Sequence, residues 1–522
     1  MNDDVKTKRS AQRISYIAAT AVLVAIILLL QWNPALWGGG DNAVYMNLGR
    51  AIFEGRGFVQ LHVHGNPPDY HVAPGFPVIL AGIMALTDNV DAVIVFKLFS
   101  TLCMALFLVF LSELFARHLK IPPLVSSFIA IYLAISPQIA MLASSVMTEA
   151  PFLLLSLFAL FCIFRFFDNG RSVDIVAAAI FSAAAVYIRL VGFPLIIAIF
   201  FGLLFARKFR EGIFYGAISG GLIAPWLIHI LRRGEITYVA QSGIEGMGLF
   251  DLLRRAFENI SVYITVHLPM LFAPWSASTR WLEIAMGIAI FALALAGFIL
   301  AMRNVKARPV AFLALAFVPE ILLFHYCTMR YLVPMAAPVM FLIFLSLNRI
   351  AGALKFTKKI RAYSTVVTLL LLFVPMGDIF AGSVIYTAQF RAEFRRLGRP
   401  IDSVIASTEE SKAFYDALFW VKENTPSDAV LISSELRIAY FISDRPGVYI
   451  GSAAGDEIWR KGISYNATHL LLDRSSPIVH GKLLAAASPY ADCFSRVFTS
   501  DNGLAGVFKI DTERLAALID DQ

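Results

Sequence analysis

The stretch GGGDNAVYMNLGRAIFEGRGF, Gly38 to Phe58, decides how the rest of the chain is read. It follows directly on the first apolar run. Three glycines lead to one carboxylate, Asp41, at the mouth of an expected amphipathic helix. Free N–H groups and the helix dipole favour the charged form of a carboxylate placed there. Tyr45 lies at i+4, one turn on and on the same face. The remaining chain reads as a membrane scaffold that holds this acid just outside a bilayer.

Composition supports that reading. The 522 residues are 58% hydrophobic and only 16% charged, with a mean hydropathy of +0.71, whereas soluble domains carry about 25% charged residues. The net charge of +7 does not point to nucleic acid. The basic residues fall in short clusters between apolar runs, the distribution expected of cytoplasmic loops. The four cysteines are scattered, with no zinc or disulfide spacing.

A spanning helix needs about 20 mostly apolar residues. On that rule the fold class is a polytopic α-helical membrane protein with about eleven spans: 14–31, 92–115, 123–142, 149–167, 175–188, 192–206, 213–231, 281–302, 310–324, 331–347 and 364–386. With the N-terminus cytoplasmic, every short inside loop is basic, from Arg117/Lys120 to Arg303/Lys306/Arg308. The expected location is therefore the cytoplasmic (inner) membrane, N-terminus inside. Outside lie two loops, 32–90 (with an interfacial or re-entrant helix at 74–86) and 232–280, and the tail. The expected domains are 1–386 in the membrane and 387–522 as a small extracytoplasmic α/β unit. In that tail, helical segments alternate with the β-like runs AVLIS, GVYIG, THLLLD and GVFKI. The tail is expected to fold separately and to cover an outer cavity rather than perform chemistry.

A charge within a spanning segment is costly and usually marks a site or an internal pair. Lys97, Glu149, Arg189 and Arg330 all fall near the outer interface, at the depth of Asp41. Two acids and several cations at one depth form a candidate reaction centre for an anionic, membrane-held substrate. Glu320 is a further acid within the ninth span. Histidines also gather outside: His62 and His64, on one face of a strand, could supply two ligands to a divalent metal ion, with His71 or Asp69 nearby. An ordinary polar loop is the alternative reading.

The order of motifs then becomes specific. It runs Asp-x-x-x-Tyr (Asp41, Tyr45), GRGF, APGFP (Ala73–Pro77), an acid opening the fourth span (Glu149), YIRLVGFP with Arg189, RYLVP (Arg330–Pro334), and WVKENTPSDAV in the tail. This order resembles the polyprenyl-phosphate-sugar-dependent membrane glycosyltransferases of the GT-C fold. Within them it looks most like the bacterial branch holding the aminoarabinose transferases of lipid A and the protein O-mannosyltransferases. Two positions depart from the pattern. Asn42 stands where many relatives carry a second acid, and Ala73 stands where some carry a basic residue, with His71 two earlier.

The resemblance implies transfer of a sugar from a polyprenyl phosphate to a lipid, glycan or protein acceptor outside the cytoplasm. The residues fit that chemistry. A phosphate is a good leaving group, so the main need is a general base for the acceptor hydroxyl. One carboxylate opposite the leaving group implies a single displacement with inversion. Asp41 is expected to act as base and Glu149 as the second acid. Arg330, with Lys97 or Arg189, would hold the phosphate, and Tyr45, Tyr331 and His71 would lie about the substrate. A lipid-linked glycan polymerase or ligase, or a lipid or glycan transporter, remain alternatives. Convergence of Asp41, Glu149 and Arg330 in one place favours a transferase; charges lining a through-path favour a transporter.

Overall fold

The computed structural model describes residues 2–36, 40–232, 243–244, 246–324, 327–353, 376–392, 406 and 408–520, with side chains described from Arg13 onward. Among these, six helices are long and apolar enough to cross a membrane: Arg13–Leu30, Val93–Arg117, Glu149–Asn169, Phe209–Leu231, Arg280–Met302 and Met329–Ala353. The expected span at 123–142 is instead two helices, Pro123–Ile135 and Pro137–Ala143, bent by 74°. Ser136 explains the break. It sits at φ −57, ψ 122, the extended conformation that a following proline imposes.

The expected spans at 175–188 and 192–206 form shorter apolar helices, as does the interfacial segment Gly75–Thr87. The expected span at 310–324 divides into Arg308–Ala316 and Val318–Leu323. Pro319 lacks the N–H and the room to continue a helix, but it suits the first turn of a new one. The first part of the expected eleventh span lies outside the described residues. Helix resumes at 376 and runs to 392, through the expected division at 386, and Arg391 Nη2 donates to the carbonyl of Leu30 at 2.8 Å.

At the far end of the helix that Glu149 opens, Asp168 joins three segments. It accepts from His118 Nδ1 at 2.8 Å and pairs with Lys306. His118 is buried and stacks on Phe164.

The tail carries a four-stranded sheet in the order β1 (Leu431–Ile432), β2 (His469–Asp473), β4 (Ala505–Ile510), β3 (Phe494–Thr499). β1 and β2 are parallel and the other pairs antiparallel. Two helices, Leu436–Ser443 and Asp456–Ser464, make the crossover between the parallel strands, as a parallel pair requires. Trp459, Ile432, Leu470 and Leu515 pack a core that belongs to the tail. The WVKENTP motif ends the helix Glu409–Asn424. There the buried Arg445 donates to the carbonyls of Lys422 and Thr425 at 3.1 and 2.8 Å, satisfying free helix-end acceptors.

The tail is interlocked with the segment from Asn47 to Val63. Arg50 Nη1 meets Asp444 Oδ1 at 2.5 Å and its guanidinium lies over the Tyr440 ring. Asn47 Nδ2 donates to the Arg437 carbonyl at 2.9 Å. Ala51, Leu61 and Tyr440 form an apolar contact between loop and tail. Gly447 bridges to both Val63 and Leu431, so the loop extends the edge of the tail sheet by main-chain pairing.

Candidate active site

Asp41 is the first residue of the helix Asp41–Phe53. Gly40 precedes it at φ +71, a left-handed conformation that favours glycine. A Cβ on Gly40 would also stand 2.9 Å from Glu435 Oε2. Next to the acid, Asn42 is fully buried. Its Oδ1 accepts from the Val146 N–H at 2.9 Å, tying the helix Asp41–Phe53 to the loop that leads to Glu149. An ionised second acid there would be buried on that same contact, which explains why an amide suits this position.

Glu149 opens the helix Glu149–Asn169. Arg189 follows the end of the helix Ser172–Ile188 in extended conformation. Its placement depends on the APGFP motif. A Cβ on Gly75 would stand 2.6 Å from the Tyr187 carbonyl oxygen, so only glycine lets the two segments approach. Arg330 lies in a short turn, Met329–Tyr331, whose first N–H groups are capped by Thr328; Thr328 Oγ1 accepts from Arg330 N at 3.1 Å.

These elements bring the charges into one cluster. Arg330 Nη1 meets Asp41 Oδ2 at 2.7 Å, and its Nη2 and Nε meet Glu149 Oε1 at 2.8 and 2.9 Å. Arg189 Nη1 donates to the same Glu149 oxygen at 2.5 Å. Glu320 acts on Arg189 at longer range. The Tyr331 ring lies 5.8 Å from the Arg189 guanidinium, within cation–π reach.

Exposure separates the two carboxylates. The Glu149 side chain is 1% exposed and Asp41 37%. Glu149 is thus the buried counterion that fixes two guanidiniums, while Asp41 keeps access to solvent. Glu149 Oε2 is buried and has no hydrogen-bond partner among the described residues. Tyr45 packs edge-on against Phe76. Desolvation, with Asp41 and then Glu149 adding to it, pushes its phenol up to about 12, so Tyr45 stays a neutral hydrogen-bond donor.

Several expected residues stand elsewhere. Lys97 is buried, and its ammonium is held by the carbonyls of Asn33 (3.0 Å) and Ala35 (2.5 Å). It secures the chain ahead of Asp41 and is not brought to the carboxylates. His71 is exposed, and its N–H, like that of Val72, is bonded to Asp69 Oδ1 at 2.9 Å. His62 is buried and its backbone carbonyl accepts from Gly447. Burial, with Arg437 adding to it, lowers the His62 imidazole to about 4. His64 turns its ring to Tyr465. His62 and His64 lie in turns rather than on the expected strand, and between them Val63 makes a single isolated bridge to Gly447 of the tail. Among the described residues no group of three His, Cys, Asp or Glu side chains could hold a metal ion.

One contributor was not foreseen. Arg437 Nη1 of the tail lies 3.8 Å from Asp41 Oδ1, and Glu435 sits beside Gly40. Both follow β1. The carboxyl ends of parallel strands are where open α/β sheets bind ligands, and that rule, applied to AVLIS, was the available signal. Burial raises the Glu435 carboxyl; Arg437 opposes this, and Asp473 and Asp41 add to it.

Residues 71–229 match the family of dolichyl-phosphate-mannose-protein mannosyltransferases. No curated protein sequence matches the chain. Among solved structures, the chain is similar to ArnT from Cupriavidus metallidurans bound to undecaprenyl phosphate, with a TM-score of 0.56 and 13% identity over 96% of this chain and 98% of that one. It is equally similar to the same protein in the apo state, with a TM-score of 0.56 and 12% identity over 97% and 99%. The fold is thus the GT-C fold with a C-terminal sheet region, as the motif order implies. The family match covers residues 71–229, and the solved structures share the fold along nearly the whole chain.

Proposed function

We propose that the protein moves a sugar from a polyprenyl-phosphate donor to an acceptor outside the cytoplasm, with inversion at the anomeric carbon. The observation that carries this reading is the chain of contacts Asp41–Arg330–Glu149–Arg189. One accessible carboxylate and one partly accessible guanidinium are held together over a buried acid and a second arginine. The convergence of Asp41, Glu149 and Arg330 at one place supports a transferase over a transporter. The undecaprenyl phosphate bound by ArnT supports a donor of that type, and the basic short loops support an N-terminus inside and a tail outside.

In this reading the donor phosphate takes Arg330, whose planar guanidinium can bind phosphate oxygens bidentately. Asp41 gives up its contact with Arg330 and becomes available as a base. The acceptor hydroxyl oxygen attacks the anomeric carbon, its proton passes to an Asp41 oxygen, and the carbon–oxygen bond to phosphate breaks with its electron pair remaining on the phosphate. Arg330 and Arg189 stabilise the charge that develops there. Glu149 keeps both arginines charged and in place. Purified protein given a polyprenyl-phosphate sugar of α configuration and an acceptor glycolipid should form a β-linked product, read by NMR. Retention of configuration would contradict a single displacement.

A further inference from the structure

We propose that Arg437, supplied by the tail, is a positioning residue for Asp41, and that the tail is part of the reaction centre rather than a cover over it. This rests on the reading of Asp41 as the base. The two oxygens of Asp41 face different arginines: Oδ2 meets Arg330 at 2.7 Å, and Oδ1 faces Arg437 at 3.8 Å. The groups around the carboxylate are Tyr45 on its own helix, Arg330 and Tyr331 on the Met329–Tyr331 turn with Glu149 behind them, and Arg437 and Glu435 on the tail.

When phosphate draws Arg330 away, the carboxylate loses its closer partner. Arg437 then remains on the opposite oxygen and restrains the rotation of the carboxylate. Its own position does not depend on substrate. The Arg437 carbonyl is bonded to Asn47, on the same helix as Asp41, and the next turn of the tail helix is clamped by Arg50 through Asp444 and Tyr440. Base and tail arginine are therefore fixed to one frame. Glu435, pressed against Gly40, offsets the charge of Arg437 and limits where the guanidinium can move.

The test uses the full-length protein in nanodiscs, with single-turnover transfer and donor affinity measured separately for Arg437→Gln, Arg437→Met and Arg437→Lys. The Arg437 side chain is 44% exposed, so the effect is that of a partly solvated ion pair. Turnover should fall about three- to fivefold in the Gln and Met variants, with donor affinity unchanged, and the Lys variant should recover most of the loss. Unchanged turnover in Gln and Met would overturn the proposal. So would a loss of donor affinity in step with rate, which would make Arg437 a phosphate ligand, or a loss that Lys does not restore, which would make its role structural. Asp41→Asn is measured alongside. If that variant turns over normally, the reading of Asp41 as base has failed; if it is inactive while Arg437→Gln is normal, only the role of Arg437 has failed.

Discussion

Two carboxylates open helices at this site, and their surroundings divide the work between them. Glu149 shares one oxygen among three guanidinium contacts and is sealed from solvent, whereas Asp41 keeps access. The proposed roles of Glu149 as anchor and Asp41 as base rest on this difference in burial. Sequence position alone put both at the same depth and could rank them only by the glycine run before Asp41. Arg330 links them, and its substitution tests the phosphate reading. Arg330→Lys should keep part of the donor affinity, because an ammonium still offers a point charge, and Arg330→Ala should lose most of it. Equilibrium binding of polyprenyl phosphate to each variant checks this; equal, unimpaired affinity in both would reduce Arg330 to an anchor at the membrane surface. Lys97 shows where residue-level reading fell short. A lysine near a span end looks like a phosphate ligand, but nothing in its neighbours reveals that two carbonyls 62 and 64 residues away bind it.

At the scale of elements, the motifs were legible because each one solves a local geometric problem. APGFP needs a glycine where the helix Gly75–Thr87 meets the chain at Tyr187, and that meeting aims Arg189. Gly75→Ala should push the Tyr187–Ile188 backbone aside and move Arg189 with it. A displacement near 1 Å can cost about 10²-fold in rate, while overpacking costs about 1–3 kcal/mol of stability. The expected outcome is a folded, membrane-inserted variant with transfer reduced about a hundredfold, measured by turnover beside thermal unfolding; wild-type turnover would separate Gly75 from the placement of Arg189. Proline governs the elements that differed from expectation. Pro137 and Pro319 each divide an apolar run that hydropathy alone reads as continuous. The period-2 pattern of His62 and His64 suggested a strand, but both residues lie in turns about one isolated bridge at Val63. That bridge depends on Gly447, which belongs to another part of the chain.

At the scale of the molecule, apolar runs and motif order made the membrane class and the GT-C fold legible, and composition made the sheet-bearing tail legible. The docking of that tail was not. A total of 390 residues separate Asn47 from Arg437, and no periodicity reports a contact between two polar segments so far apart. Yet this docking brings Arg437 of the tail within 3.8 Å of Asp41. The proposed mechanism turns on one carboxylate held beside Arg330, the arginine assigned to the donor phosphate, so Asp41→Asn tests it most directly. The amide keeps the shape and loses the basicity, and loss of a general base costs about 10²–10⁴-fold. Single-turnover transfer and donor affinity should be measured on the same nanodisc preparation. Near-normal affinity with transfer reduced by at least about a hundredfold is the predicted result; full turnover by Asp41→Asn would contradict it.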